Sequence, residues 1–509
     1  MPKKIKWPAK RFADGAVWIV AFAAGALLDL AFAPYRQAWV APLGVAILYV
    51  LLGAASGRQA FARGFWFGVG LFAFGVPWIY LTLTRFGGMP APLAALAWVL
   101  FISILASYVG FVCAAFVRLR TRDGLDPWLF AALWVAGEWV RGVFLTGFPW
   151  LDLGYAASIP PLMGLAPLVG VLGLSFLLAV FGALAVEALR GRRRGLWWLV
   201  LIIAATPSLA TLSFVHRVGR PVTVSLIQGD VSPYAKWNPR ARHAVIARYL
   251  DLTRKSDGRL VIWPETAIPG FSHQLRRRFI PYLKRQARLG HRHFLFGVVE
   301  GNAYSPNGPT YNAVMSIGRH DGFYRKRHLV PFGEYLPWPA LLNPILDVLH
   351  IPMSSFTAWH GVEAPLRAAH VKVGVSVCYE VAYGSLVIQG LPSATLLVNV
   401  SDDAWYGHSN EAPQQLEIAQ LRAAEAGRDM LIATNDGDTA FVSHTGRIRA
   451  RLAPFRAGVL TVVAEPYAGL TPYDRYGDAP TLSALALLVA ATGWRRRRTG
   501  SRSTRSGGS

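Results

Sequence analysis

The sequence predicts an α-helical polytopic membrane domain of about eight spans joined to an α/β layered domain outside the bilayer. Three observations carry that prediction. The 509-residue chain is 53% hydrophobic with a mean hydropathy of +0.34, too apolar for an ordinary soluble enzyme. Long apolar runs recur through residues 1–215 and once more near the end. From Val222 the pattern changes to short apolar strands alternating with amphipathic helices.

The membrane part opens on Lys3, Lys4, Lys6, Lys10 and Arg11, followed by an apolar run from Gly15 to Pro34. A cleaved signal peptide would share that start, but the runs that follow favour a retained first span. Further spans are expected at Trp39 to Leu52, Phe65 to Leu83, Leu93 to Val117, Pro127 to Phe144, Leu162 to Leu189, Leu196 to Val215 and Pro480 to Trp494. The second is the shortest of the first seven. Arg58 and Arg63, then Arg118, Arg120 and Arg122, then Arg190, Arg192, Arg193 and Arg194 fall in alternate loops, on the side of the basic start and of Arg495 to Arg498. Basic residues favour the cytoplasmic face, so both termini are expected there and the interval His216 to Asp478 on the opposite face, periplasmic where the cell has a periplasm. Arg36, Arg85 and Arg141 are isolated exceptions.

The formal charge of +24 belongs to this topology pattern rather than to nucleic-acid binding, since the arginines and lysines cluster beside apolar runs. Anionic lipid headgroups are the expected surface partner. The domains read as 1–215, a membrane domain of seven spans; 222–468, an extracytoplasmic catalytic domain; 479–494, a final transmembrane helix; and 495–509, a basic disordered tail.

Two features of the membrane part invite function. Glu138 and Arg141, three apart on one helix face, could pair near an interface. The following Thr146-Gly-Phe-Pro-Trp150 is aromatic and broken by Gly and Pro, which suits either an interfacial anchor belt or a site of lipid access.

In the outer domain, strands are expected at Val222 to Ile227, Leu260 to Trp263, His293 to Val299, Ala313 to Ile317, Val371 to Val377, Thr395 to Asn399, Met430 to Thr434 and Gly458 to Val463. Helices are expected around Arg240 to Lys255, His273 to Leu289 and Pro413 to Ala426. Strands apolar on both faces imply a core with helices packed outside.

Only two cysteines occur, Cys113 in an apolar run and Cys378 in the outer domain, so neither a disulfide nor a thiolate metal site is expected. Cys378 ends the strand Val371 to Val377 and precedes Tyr379 and Glu380. A free cysteine there fits core filler or a rigidly mounted nucleophile. Two other stretches each deliver a reactive group. Val261-Ile-Trp-Pro-Glu265 is a strand stopped by Pro264 with a carboxylate at its tip, and Tyr324 to Glu334 is a loop carrying Lys326 and a second carboxylate. Base, nucleophile and cation are the parts that acyl transfer needs. A Cys-His pair is the other route to a thiolate, with His328 and His408 as candidates read as supporting groups.

The three stretches, in this order and on these elements, resemble the carbon-nitrogen hydrolase (nitrilase) superfamily. Such a resemblance implies a four-layer α-β-β-α sandwich with a Glu-Lys-Cys triad. Trp-Pro-Glu-Thr-Ala-Ile-Pro, Lys-Arg-His-Leu-Val-Pro-Phe-Gly-Glu-Tyr-Leu-Pro, Val-Cys-Tyr-Glu and Asn399-Val-Ser-Asp-Asp-Ala-Trp-Tyr-Gly-His408 are narrower. With Phe86-Gly-Gly-Met-Pro90 and Thr146 to Trp150, they are similar to the apolipoprotein N-acyltransferase family over nearly the whole chain. That likeness implies Glu265 as general base, Lys326 as oxyanion-holding cation, Cys378 as nucleophile, Glu334 as supporting carboxylate, Tyr379 and Glu380 shaping the pocket, and Trp237 near the entrance. Asp402-Asp403-Ala404 departs from the Asn-Asp-Thr expected there and leaves the wall of the acyl pocket open. The family reading implies a phospholipid acyl donor in the bilayer, a Cys378 thioester and an apolipoprotein N-terminal amine as acceptor, with no cofactor, metal or nucleic acid. A membrane-tethered amidase using water, or a lipid-binding or transport scaffold without catalysis, are the rival readings.

Overall fold

A computed structural model describes residues 14–120, 126–301, 308–340 and 355–505; the basic start Lys3 to Arg11 and Arg122 lie outside that range. The chain divides into two compact units, 1–80 with 92–212 and 476–509, and 81–91 with 213–475.

The first unit is helical. Among the described helices three are long and apolar enough to cross a bilayer, Ala91–Leu119, Pro127–Thr146 and Leu162–Leu189. The expected span Phe65 to Leu83 is instead a pair, Gly57–Gly75 and Trp78–Arg85, bent by 55°. Pro77 in the break has no N–H to continue the ladder. Gly15–Ala31, Val40–Leu51 and Ala479–Trp494 are shorter apolar helices. The run expected to reach Val215 is helical only over Arg193–Leu209, because Val215–Arg217 is drawn into a strand against Tyr467–Gly469. Helix Ala479–Arg505 carries on past Arg495, where an irregular tail was expected; the run Arg495 to Arg498 is of good helix formers.

Small residues set the packing. A Cβ on Gly25 would fall 1.9 Å from the carbonyl oxygen of Phe67, so the first and third helices cross at backbone contact only because the residue is glycine. Glu138 and Arg141 are both buried, yet the direct partner of Arg141 is Asp152 at 2.6 Å, and Glu138 accepts from Trp134 Nε1 and Leu153 N, each at 2.8 Å. The pairing expected between them is replaced because the chain folds back after Val143 and offers Arg141 a closer carboxylate. Arg141 also donates to the carbonyls of Phe148 (3.1 Å) and Trp150, which fixes the 146–150 turn and buries Trp150.

Among the described residues the second unit is built on two six-stranded sheets and a short two-stranded one. We number its strands β1 (Val215–Arg217), β2 (Val222–Gln228), β3 (Leu260–Ile262), β4 (His293–Glu300), β5 (Tyr311–Ile317), β6 (Gly322–Arg325), β7 (Leu366–Ala368), β8 (Val371–Val377), β9 (Leu396–Ser401), β10 (Met430–Thr434), β11 (Ala440–Val442), β12 (Ile448–Arg451), β13 (Gly458–Ala464) and β14 (Tyr467–Gly469). One sheet runs β13-β2-β3-β4-β5-β6, with β2, β3 and β4 parallel; the other runs β12-β11-β10-β9-β8-β7, with β8, β9 and β10 parallel. Parallel central strands need cover for their apolar side chains. Val245 and Tyr249 of helix Arg242–Arg254 and Ile280 and Leu283 of helix Phe279–Leu289 pack with Val261, Trp263 and Phe296 in one apolar cluster. The helix expected from His273 to Leu289 is split into Ser272–Leu275 and Phe279–Leu289.

Residues 81–91 group with this unit through aromatic contacts that the sequence did not announce. Phe86 lies 5.6 Å from the Tyr234 ring and 5.4 Å from Trp405, and Thr82 Oγ1 donates to the Trp405 carbonyl at 3.1 Å.

Candidate active site

Parallel strands deliver their C-terminal ends to one rim, where ligands bind in open α/β sheets. β3 hands over to Trp263-Pro264-Glu265, β8 to Cys378 and β9 to Asp402. Pro264 ends the ladder, and the Glu265 turn passes so close to β4 that a Cβ on Gly297 would lie 2.3 Å from Thr266 N and 2.6 Å from Glu265 Cα. Lys326 directly follows β6, and its N–H donates to the Asn312 carbonyl at 2.8 Å.

These groups form one buried polar knot. Lys326 is 1% exposed, its Nζ 2.9 Å from Glu334 Oε2 and 3.6 Å from Glu265 Oε1. Nδ2 of Asn312 donates to both carboxylates, at 2.6 Å to Glu265 and 2.7 Å to Glu334. The second oxygen of Glu265 accepts from Asp402 N at 3.1 Å, and that of Glu334 from Val330 N at 2.8 Å. Sequence reasoning placed Glu265, Lys326 and Glu334 in the site and missed Asn312, a strand residue with no local signature.

Cys378 is buried and opens a tight turn, Cys378–Ala382, with φ of +51°. Positive φ is strained for any residue with a Cβ and holds only where the surroundings enforce it. Glu380 does that enforcing. Its carboxylate accepts from Val377 N (2.8 Å) and Tyr324 OH (2.8 Å) on one oxygen and from Arg327 N (2.7 Å) and His328 N (3.2 Å) on the other. Expected to shape the pocket, Glu380 staples the cysteine turn to the lysine loop. Tyr379 accepts a hydrogen bond from Tyr383 OH at 3.1 Å. Asn399 Nδ2 donates to the Cys378 carbonyl at 3.2 Å, and Gln415 Nε2 lies 3.9 Å from Sγ.

Burial pushes the Cys378 thiol well above its ordinary range; Glu265 adds to that shift, while Lys326 opposes it. Burial likewise raises Glu265 above the usual carboxylate value of 4.5, with Lys326 opposing and Glu334 adding. For Lys326 burial works the other way, but Glu334 and Glu265 outweigh it and keep the ammonium charged. At rest the knot therefore holds a neutral thiol, a fixed cation and a carboxylate of raised basicity, which is the starting point for general-base-assisted attack by sulfur.

The His328 ring lies against Tyr383 with centres 3.9 Å apart and a tilt of 36°, and the His408 ring against Phe455 at 3.7 Å and 33°. Trp237 is 48% exposed and lines, with Lys236 and Arg242, a cavity of about 170 Å³ that none of Glu265, Lys326 and Cys378 touches. Among the described residues no group of three or more His, Cys, Asp and Glu is placed to hold a metal ion.

Comparison with known proteins covers both units. Residues 24–184 match the family model described as apolipoprotein N-acyltransferase N-terminal domain, and residues 223–467 that of carbon-nitrogen hydrolase. The chain is 38% identical over 496 residues to an apolipoprotein N-acyltransferase of Methylococcus capsulatus, covering 95% of this chain and 97% of that one. It is 39% identical over 481 residues to one of Nitrosomonas europaea (93% and 96%) and 39% over 492 residues to one of Azotobacter vinelandii (94% and 95%).

Proposed function

The chain belongs to the apolipoprotein N-acyltransferase family, and from that premise we propose that it moves a fatty acyl chain from a phospholipid to the N-terminal α-amine of a diacylglyceryl-cysteine, through a thioester on Cys378. The observation that carries the mechanism is the buried knot in which one cation, Lys326, sits between two carboxylates and acts on the nearby thiol.

In the first half, Glu265 takes the Cys378 proton as sulfur attacks the ester carbonyl of the donor. Lys326 and the N–H of Tyr379 hold the oxyanion. The C–O bond then breaks, and Glu265 returns the proton to the leaving lysophospholipid. In the second half, the acceptor amine attacks the thioester, Glu265 takes its proton, and C–S cleavage regenerates the thiol. Ester and amine become amide and alcohol, so no cofactor is needed to balance the step. Glu334 keeps Lys326 charged and placed, and Trp237 stands near the entrance.

The same reading places the enzyme in the bacterial inner membrane. The three long helices, the bent pair, the shorter apolar helices and Arg193–Leu209 would supply about eight spans, 222–468 an extracytoplasmic four-layer α-β-β-α sandwich, and both termini would be cytoplasmic. Mass spectrometry of the enzyme with phospholipid alone tests the chemistry: an acyl mass on Cys378 that Cys378→Ser lacks is expected. Lipoprotein acylation that survives in Cys378→Ser would end the proposal.

A further inference from the structure

Behind Glu265 lies an ion pair for which the chemistry above has no use. Lys236, the last residue of helix Pro233–Lys236, has no exposed surface. Its Nζ donates to one carboxylate oxygen of Asp402 and lies 3.4 Å from the main-chain oxygen of Glu265. The other oxygen of Asp402 accepts from Asn435 Nδ2 at 2.9 Å. Asn435 is itself fixed: it donates to Val231 O at 2.7 Å and accepts from Val231 N at 3.1 Å and Tyr249 OH at 3.2 Å. With both its oxygens tied, Asp402 is pinned where its N–H meets Glu265 Oε2 at 3.1 Å. Lys236 thus grips Glu265 twice, at the carbonyl directly and at the carboxylate by way of Asp402.

We propose that Lys236 is a positioning residue for the transfer reaction, acting through Asp402 to fix the orientation and the charge environment of Glu265. This rests on reading Glu265 as the general base. An ammonium removed from water so completely is costly unless its partner is close and the pair is fully hydrogen-bonded, and both conditions hold. The titratable and charged groups facing Glu265 are Lys326 and Glu334 from the loop after β6, Cys378 after β8, Asp402 and Tyr406 after β9, Glu411 on helix Glu411–Ala426 and Lys236 itself. Lys326 is shared with Glu334, which leaves Lys236 as the counter-charge of Asp402. Without it, an unbalanced anion would stand against Glu265 and make that carboxyl harder to ionise.

The test is single-turnover acylation of Cys378 by phospholipid in the full-length enzyme, measured from pH 5 to 9 and over a range of donor concentration. Lys236→Met is expected to lower the limiting rate at least tenfold per titrated thiol. The half-saturating donor concentration should stay unchanged, and the acid limb should move to higher pH; Lys236→Arg should recover part of the rate. A wild-type rate per thiol with an unmoved acid limb would overturn the proposal, since a purely structural lysine alters only the amount of folded enzyme. Should Lys236→Met fail to accumulate, the double variant Lys236→Met with Asp402→Leu, which buries no unpaired charge, decides: a tenfold loss supports the proposal and a wild-type rate refutes it. Glu265→Gln is run beside them. If it acylates normally, the base assignment itself fails; if it is inactive while Lys236→Met behaves as wild type, only the role of Lys236 falls.

Discussion

Lys326 stands nearer to Glu334, at 2.9 Å, than to Glu265, at 3.6 Å. The closer carboxylate therefore takes most of the lysine's charge and leaves Glu265 basic enough to receive a proton. Glu334→Gln should reverse this. Lys326 would turn to Glu265, whose pKa falls because an adjacent anion has gone and the cation is no longer shared. Thioester formation is expected to drop on the order of 10²-fold, the scale of lost general-base catalysis. Its acid limb should shift to lower pH, which a pH series on purified enzyme measures.

Asn312 offers a sharper probe, because it bridges both carboxylates without carrying charge. Asn312→Ala removes two donors from buried acceptors and is expected to cost about 1–3 kcal/mol of stability. Asn312→Asp adds a third acid to the knot and should be worse for activity, since it raises Glu265 further. Equal acylation rates in the two variants would show that the bridge acts by geometry alone.

Much of this is legible in the sequence. Each of the eight strands expected from apolar alternation appears within about two residues of its place; seven of them lie inside a sheet and bury their apolar positions, and β13 keeps its alternation at a sheet edge by pairing along its whole length with β2. The strands that escaped notice, such as β6, β7 and β12, are short and carry arginines at their sheets' margins, where pairing rather than hydrophobicity decides the backbone. The knot was half legible: Glu265 and Cys378 follow strand ends that alternation reveals and Lys326 stands in a loop with its own motif, whereas Asn312, Lys236 and Asp402 gain their roles only from elements brought together across long separations. The Glu138 and Arg141 pairing failed for the same reason, since a helix-face rule has no knowledge of the returning loop that brings Asp152.

That loop yields a third prediction. Arg141 spends its guanidinium on Asp152 and two backbone carbonyls, a fan of donors that an ammonium cannot reproduce. Arg141→Lys should therefore destabilise nearly as much as Asp152→Asn, roughly 3 kcal/mol for a broken buried pair. Thermal unfolding in detergent compares them, and a silent Arg141→Lys would mean that charge alone holds the turn.

The raised pKa of Glu265 sets activity against stability. As a base it works only when ionised, so acylation should fall as pH drops through a midpoint above the ordinary 4.5. For folding the sign is opposite. A carboxyl whose folded pKa exceeds its unfolded one contributes stability that is full below the unfolded value and lost as pH rises through the folded value. Wherever Glu265 is ionised in the folded protein it is thus a destabilising group, retained for chemistry. Glu265→Gln, which mimics the neutral acid and keeps the acceptor for Asn312, is expected to melt at a higher temperature than wild type near pH 7. Below pH 4 the difference should vanish. Thermal scans of both proteins across that range check it, and a less stable Glu265→Gln at pH 7 would mean that attraction to Lys326 outweighs the cost of burial.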